Sequence, residues 1–149
     1  MTAFRFLLTG VVVVAAGLGV FAQDKAMKLT NLPPAVQKAV QEQTKGATLV
    51  GLSEERENGT VMYEAETKLN GRTRDLLFDR DGALVEVEEE LAVEALPAAV
   101  QSALATHGRV LKVESVTKGS TVTYEAQVEK NHKKSEVVVD AKGHAVATR

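Results

Sequence analysis

The chain has 149 residues, 44% of them hydrophobic, with 18 Lys/Arg against 20 Asp/Glu and a formal net charge of −2. That length bounds it to one compact domain or two small ones. It contains no cysteine, which excludes disulfides, thiolate metal centres and a cysteine nucleophile, and the lack of a coherent basic surface argues against nucleic acid as a partner.

The first element in chain order reads as an export signal. In "MTAFRFLLTGVVVVAAGLGVFAQDK", Arg5 supplies the positive start, Phe6 to Val20 the apolar core, and Val20 and Ala22 the small side chains that flank a cleavage point before Gln23. Residues 1–22 are therefore assigned as a signal peptide, with a periplasmic or secreted destination and no stable membrane anchor after cleavage. Residues 23–31 read as a linker. Charge is uneven beyond the signal: residues 23–94 hold nine Lys/Arg against fifteen Asp/Glu, and residues 95–149 hold eight against five.

From residue 32 the sequence is one unit written twice. "LPPAVQKAV" (32–40) recurs as "LPAAVQSAL" (96–104), "TVMYEAE" (60–66) as "TVTYEAQ" (121–127), and "LLFDRDGALV" (76–85) as "VVVDAKGHAV" (137–146). The first block is offset by 64 residues and the other two by 61, so the second copy lacks three residues somewhere after its opening helix. The two units are placed at 32–91 and 92–149.

Each unit opens on a predicted helix, with Pro33 and Pro97 in a first turn where the missing N–H has no partner to lose. Ala35, Val36, Ala39 and Val40 share one face, as do Ala99, Val100, Ala103 and Leu104, and Gly46 and Gly108 stand as terminators. The period then changes to two. Val61, Tyr63, Ala65, Thr67 and Leu69 alternate with Met62, Glu64, Glu66 and Lys68, and Val122, Tyr124, Ala126 and Val128 alternate with Thr123, Glu125, Gln127 and Glu129. Such alternation predicts a sheet with one face on a helix and the other in water.

Asn58-Gly59, Asn70-Gly71 and Asp81-Gly82 are hairpin dipeptides. Turning at Asn70-Gly71 sets Thr67 opposite Arg74, Ala65 opposite Leu76 and Tyr63 opposite Phe78. Turning at Asn58-Gly59 sets Leu52 on Ala65 and Val50 on Thr67; turning at Asp81-Gly82 sets Phe78 on Val85 and Leu76 on Val87. All three choices gather apolar residues on one face. Gly119-Ser120, Asn131-His132 and Lys142-Gly143 take the same places in the second unit. The predicted fold class is α+β, two tandem repeats, each one helix packed on a four-stranded antiparallel meander.

"FDRDGALVEVE" also resembles a calcium loop, but with Gly82 at the sixth position Leu77 falls at the first, where an oxygen is needed, and Lys142 replaces Asp81 in the sister unit. A hairpin turn is the preferred reading. His107, His132 and His144 lack ligand spacing, no serine sits in a nucleophile elbow, and Glu64 and Glu66 lie on a flat strand. The expectation is no enzyme, no cofactor and no metal.

The order of the Leu32–Val36 helix start, the Tyr63–Ala65 strand centre and the Phe78–Gly82 hairpin, given twice, resembles the PepSY-like domains of bacterial envelope proteins. Val139 for Phe78 and Lys142 for Asp81 are departures in the second unit. The resemblance implies a fold like β-lactamase inhibitor protein and a secreted binding or inhibitory module. The partner expected is an unidentified envelope protein, a hydrolase or peptidase, held by the exposed sheet face. Met62, Glu64, Glu66, Leu77, Glu86 and Glu88, with Thr123, Glu125, Gln127 and Val138, are the predicted partner-binding residues; Leu77 and Val138 are singled out as apolar groups on the wet face. The alternatives are a sensor of a small ligand or cation on the acidic strand, or a structural envelope protein.

Overall fold

A computed structural model describes residues 25–57 and 59–147. The expected signal peptide lies outside the described residues. Eight strands form one antiparallel sheet in sequence order, β1 to β8. A two-residue strand, β1 (Lys25–Ala26), borders β2 (Thr48–Glu57), followed by β3 (Thr60–Leu69), β4 (Arg72–Phe78) and β5 (Leu84–Glu90). Then come β6 (Arg109–Lys118), β7 (Thr121–Lys130) and β8 (Lys133–Asp140). Helix α1 (Pro34–Gln43) precedes β2, and α2 (Ala98–His107) precedes β6.

The helices begin as the prolines dictate, with Pro33 and Pro97 as the N-cap residues. The glutamine kept in both copies of the motif has a local task. Gln37 Nε2 donates to Leu32 O, and Gln101 Nε2 to Leu96 O, each at 2.9 Å, tying the helix to the segment that leads into it. Val36 and Val40 bury against Leu52, Val61, Tyr63, Ala65, Leu76 and Phe78; Val100 and Leu104 bury against Val113, Ala126, Val128 and Val139. The pairings Leu76↔Val87, Val87↔Thr117 and Val113↔Ala126 put both clusters on one side of the sheet. Both helices therefore cover the same face.

The Asn70-Gly71 register is as expected: Tyr63 faces Phe78, Ala65 faces Leu76 and Thr67 faces Arg74. Two other expected pairs are corrected by irregularities. Thr67 faces Leu49 rather than Val50, because the ladder shifts between Leu49 and Gly51, and Val50 is exposed. Phe78 faces Leu84 rather than Val85, because a shift falls between Leu77 and Phe78. Bulges of this kind add a residue to one strand and bend it. The second half also falls short of a four-stranded meander. After β8, among the described residues, only an isolated bridge, Val139↔Ala145, stands where β5 does in the first half.

The three residues missing from the second copy are those of the helix-to-strand link. Residues 44–47 join α1 to β2, whereas Gly108 alone joins α2 to β6. Gly108 has φ +140, and a Cβ there would stand 2.5 Å from the carbonyl oxygen of Glu129.

The stretch that resembled a calcium loop is a capped turn. Asp79 Oδ1 accepts from the backbone N–H of Asp81 and of Ala83, both at 2.9 Å. Asp140 Oδ1 repeats this with Lys142 at 2.8 Å and His144 at 2.9 Å. The aspartate shared by both units is thus a turn acceptor. Asp79→Ala is expected to cost about 1–2 kcal/mol in urea denaturation, since two donors lose a charged acceptor. The exposed Asp81→Ala should change stability by less than about 0.5 kcal/mol. Equal losses at the two positions would refute the cap.

Candidate functional site

The face away from the helices carries the polar half of every alternating strand. Register lays its carboxylates in rows. Glu66 on β3 faces Asp75 on β4, which faces Glu88 on β5. Glu90 on β5 faces Glu114 on β6, which faces Glu125 on β7. Glu64 faces Leu77, which faces Glu86, and Gln127 faces Glu136. Two lysines answer this charge: Lys118 Nζ lies 3.0 Å from Glu86 Oε2, and Lys112 Nζ 2.5 Å from Glu114 Oε1.

All ten predicted site residues lie on this face, but four are not wet. Leu77 is 2% exposed, Val138 9%, Glu86 5% and Glu88 6%. Alternation assigns a side chain to a face; it does not measure crowding on that face. Glu86 and Glu88 sit on β5, near the middle of the sheet, beside Leu77 and Asp75 on β4, with Val116 on β6 opposite Glu88 and Lys118 on β6 paired with Glu86. Leu77 and Val138, with Val116, are buried outside both helix-facing clusters. Met62, Glu64, Glu66, Thr123, Glu125 and Gln127 are half-buried and reachable. Glu66 can tilt over its neighbour because Gly51 has no side chain: a Cβ there would meet Glu66 Oε2 at 3.1 Å.

Crowding of like charges out of full contact with water pushes these acids up. Glu64 reaches about 8, from burial first and the Glu55 carboxylate second, against a hydrogen bond from Ser53 Oγ at 3.0 Å. Glu88 reaches about 9, from burial and then Glu86 and Glu114. Asp75 reaches about 7, from burial and then Glu64. Glu125 is raised by burial and Glu136, and Glu136 by burial. Glu90 goes the other way: although burial opposes it, hydrogen bonds from Thr73 N–H and Oγ1 hold it low.

Asp75, Glu88 and Glu114, on β4, β5 and β6, each bring one carboxylate oxygen within 4.8 Å of the other two. Sequence reading missed Asp75 and Glu114, together with Ser53, Val116 and the two lysines. Asp75 could have been found, since it shares the face of Leu77 two residues away. Glu114 belongs to the set only through the β5–β6 pairing, which no hairpin turn fixes.

An open antiparallel sheet with two helices on one side defines an α+β fold. Among the described residues no helix is long and apolar enough to cross a membrane. No family model matches the chain, and no curated protein matches it. Solved structures do. A presumed periplasmic protein from Bacteroides eggerthii superposes with a TM-score of 0.66 at 23% identity, covering 79% of this chain and 88% of that one. A DUF2874 family protein from Bacteroides ovatus gives 0.63 at 20% identity, over 80% and 87%. A BLIP-like protein from Bacteroides fragilis gives 0.59 at 24% identity, over 79% and 86%. The likeness establishes the fold.

Proposed function

We propose that the chain is an exported, non-enzymatic binding module that holds a cell-envelope protein, a hydrolase or peptidase, against its acidic sheet face. The observation that carries this is the face itself: rows of carboxylates crossing at least six strands, β3 to β8, on the side opposite both helices. The face is predominantly acidic, with Lys112 and Lys118 set among its carboxyl groups, and an acidic surface raises encounter rates with a partner of opposite charge. Its reachable groups are Met62, Glu64, Glu66, Thr123, Glu125 and Gln127. The buried Leu77 and Val138 support the face from below.

Three further observations support the reading. The signal-like N-terminus fits export, as does the description of the Bacteroides eggerthii relative as periplasmic. The motif order fits two PepSY-like repeats at 32–91 and 92–149. The BLIP-like relative shares the fold.

Immobilised chain exposed to a periplasmic extract should retain one envelope protein with a basic surface. Retention should drop at least about tenfold when Glu66 and Glu125 are reversed to lysine, and should weaken from 0.05 to 0.5 M salt. An extract that yields nothing, or the same protein with both substitutions, would count against the proposal.

A further inference from the structure

Glu88 is in an unusual position for an acidic side chain. It is 6% exposed, on a central strand, and its Oε1 is fully sealed from solvent with no hydrogen-bond partner. A buried carboxylate oxygen without a donor is costly, because it has lost water and gained nothing. The nearest groups make it worse, since Asp75 and Glu114 bring their own oxygens within 4.8 Å. Lys112 pairs with Glu114 Oε1 at 2.5 Å, one positive charge beside three carboxyl groups, and Lys118 lies 3.0 Å from Glu86 Oε2.

We propose that Asp75, Glu88 and Glu114 form a binding site for a hard divalent cation, calcium. Three observations define the ion. The donors are all carboxylate oxygens, which suit calcium or magnesium and leave out the softer metals that favour imidazole and thiolate. Oxygens no more than 4.8 Å from one another can surround a single ion at about 2.8 Å or less, which suits calcium's flexible shell better than magnesium's short, strict octahedron. Three carboxylates on adjacent paired strands each bring one oxygen to the cluster, while Asp75 Oδ1 also accepts from Thr67 N–H at 3.3 Å and Glu114 Oε1 pairs with Lys112.

The site lies within the sheet face and is distinct from the Asp79–Gly82 turn, whose Asp79 Oδ1 is already held by two backbone donors. An ion here would neutralise the buried centre of the face while the carboxylates around it stay available. The proposal concerns the chain alone and does not depend on a docked protein.

The test is calorimetric titration of the purified chain with calcium chloride at pH 7.5 and constant ionic strength, alongside thermal unfolding. One calcium per chain is expected, with a Kd on the order of 0.1–1 mM, the range of weak extracellular sites. The melting temperature should rise by about 5 °C at 10 mM calcium, and less with magnesium. Glu88→Gln and Asp75→Asn should each weaken calcium at least about tenfold, and Glu88→Gln should unfold at a higher temperature than the parent when no calcium is present. Asp81→Asn should leave binding unchanged, which separates this site from the turn. If Glu88→Gln does not fold, Asp75→Asn and Glu114→Gln decide the matter. Absence of binding, full binding in these variants, or loss of binding in Asp81→Asn would overturn the proposal.

Discussion

Gly82→Ala is expected to cost at least about 3 kcal/mol of folding free energy, whereas Gly71→Ala costs about 1 kcal/mol. The two glycines have nearly the same φ, +82 for Gly71 and +81 for Gly82, in the consecutive hairpins that flank β4. Conformational strain on alanine is therefore matched. Their surroundings differ. A Cβ on Gly71 meets nothing within 4 Å, while one on Gly82 would stand 2.6 Å from the carbonyl oxygen of Ala35 in the first turn of α1. Relief requires the helix to lift off the hairpin. That opens the contacts of Val36 and Phe78, both fully buried in the same cluster, and close-packed cores tolerate such gaps poorly. Gly143 repeats the arrangement, with its Cβ position 2.6 Å from Ala99 O. The glycine of the last hairpin is thus where each helix rests on the sheet. Equilibrium urea denaturation of the two alanine variants checks this, and equal losses would refute the helix contact.

Stability should fall as pH rises from about 5 to about 8.5, measured by thermal unfolding in the presence of a chelator. Glu64 drives the part that can be isolated by mutation. Its ordinary value of 4.5 applies to the unfolded chain, and in the fold it is pushed up to about 8 by burial and by Glu55 beside it. The groups facing it are Ser53 and Glu55 on β2, Glu66 on its own strand and Asp75 on β4. Between these two values the folded chain holds a proton that the unfolded chain releases. The contribution is therefore complete below about pH 4.5 and disappears as pH passes the folded value. Each pH unit separating the two values is worth about 1.4 kcal/mol, so the loss is on the order of a few kcal/mol. Glu64→Gln should flatten the profile and be the more stable protein at pH 8.5. A profile that rises with pH, or a Gln variant with the parent's slope, would contradict the assignment.

What was legible in the sequence is what local chemistry decides. Asn70-Gly71 fixes a turn, the turn fixes a register, and Tyr63, Ala65 and Thr67 fall opposite Phe78, Leu76 and Arg74 as expected. The helix starts follow from proline in the same way, and spacing picks out the buried Val36, Val40, Val100 and Leu104, whereas Ala35 and Ala99 of the expected faces are exposed. Bulges escape this logic, because nothing in "TLVGLSE" announces that Leu49 and not Val50 faces Thr67. The face of Glu86 and Glu88 was readable and their burial was not, since burial depends on the reach of neighbours on β4 and β6. Glu114 was out of range for a related reason. It joins Glu90 across a pairing between strands separated by a whole helix and its links, residues 91–108. The last strand of the second unit was expected by analogy with the first, but among the described residues that follow Gly143 there is only the bridge Val139↔Ala145.

The β5–β6 pairing runs from Val87↔Thr117 to Glu90↔Glu114, and Leu91 N–H extends it by donating to Val113 O at 3.0 Å. It is where the halves share a sheet, and it is also what keeps two strand edges covered. The outer borders are blunt: a two-residue β1 on one side, and on the other β8, which begins with the exposed Lys133 and Lys134. The inner borders carry valine at positions 85, 87, 110, 113 and 116 and no such protection. A protease that cut the connection between β5 and α2 and let the halves part would leave each with a bare template for pairing with copies of itself. Integrity of that short connection therefore decides between paired inner strands and bare edges that invite pairing with another copy.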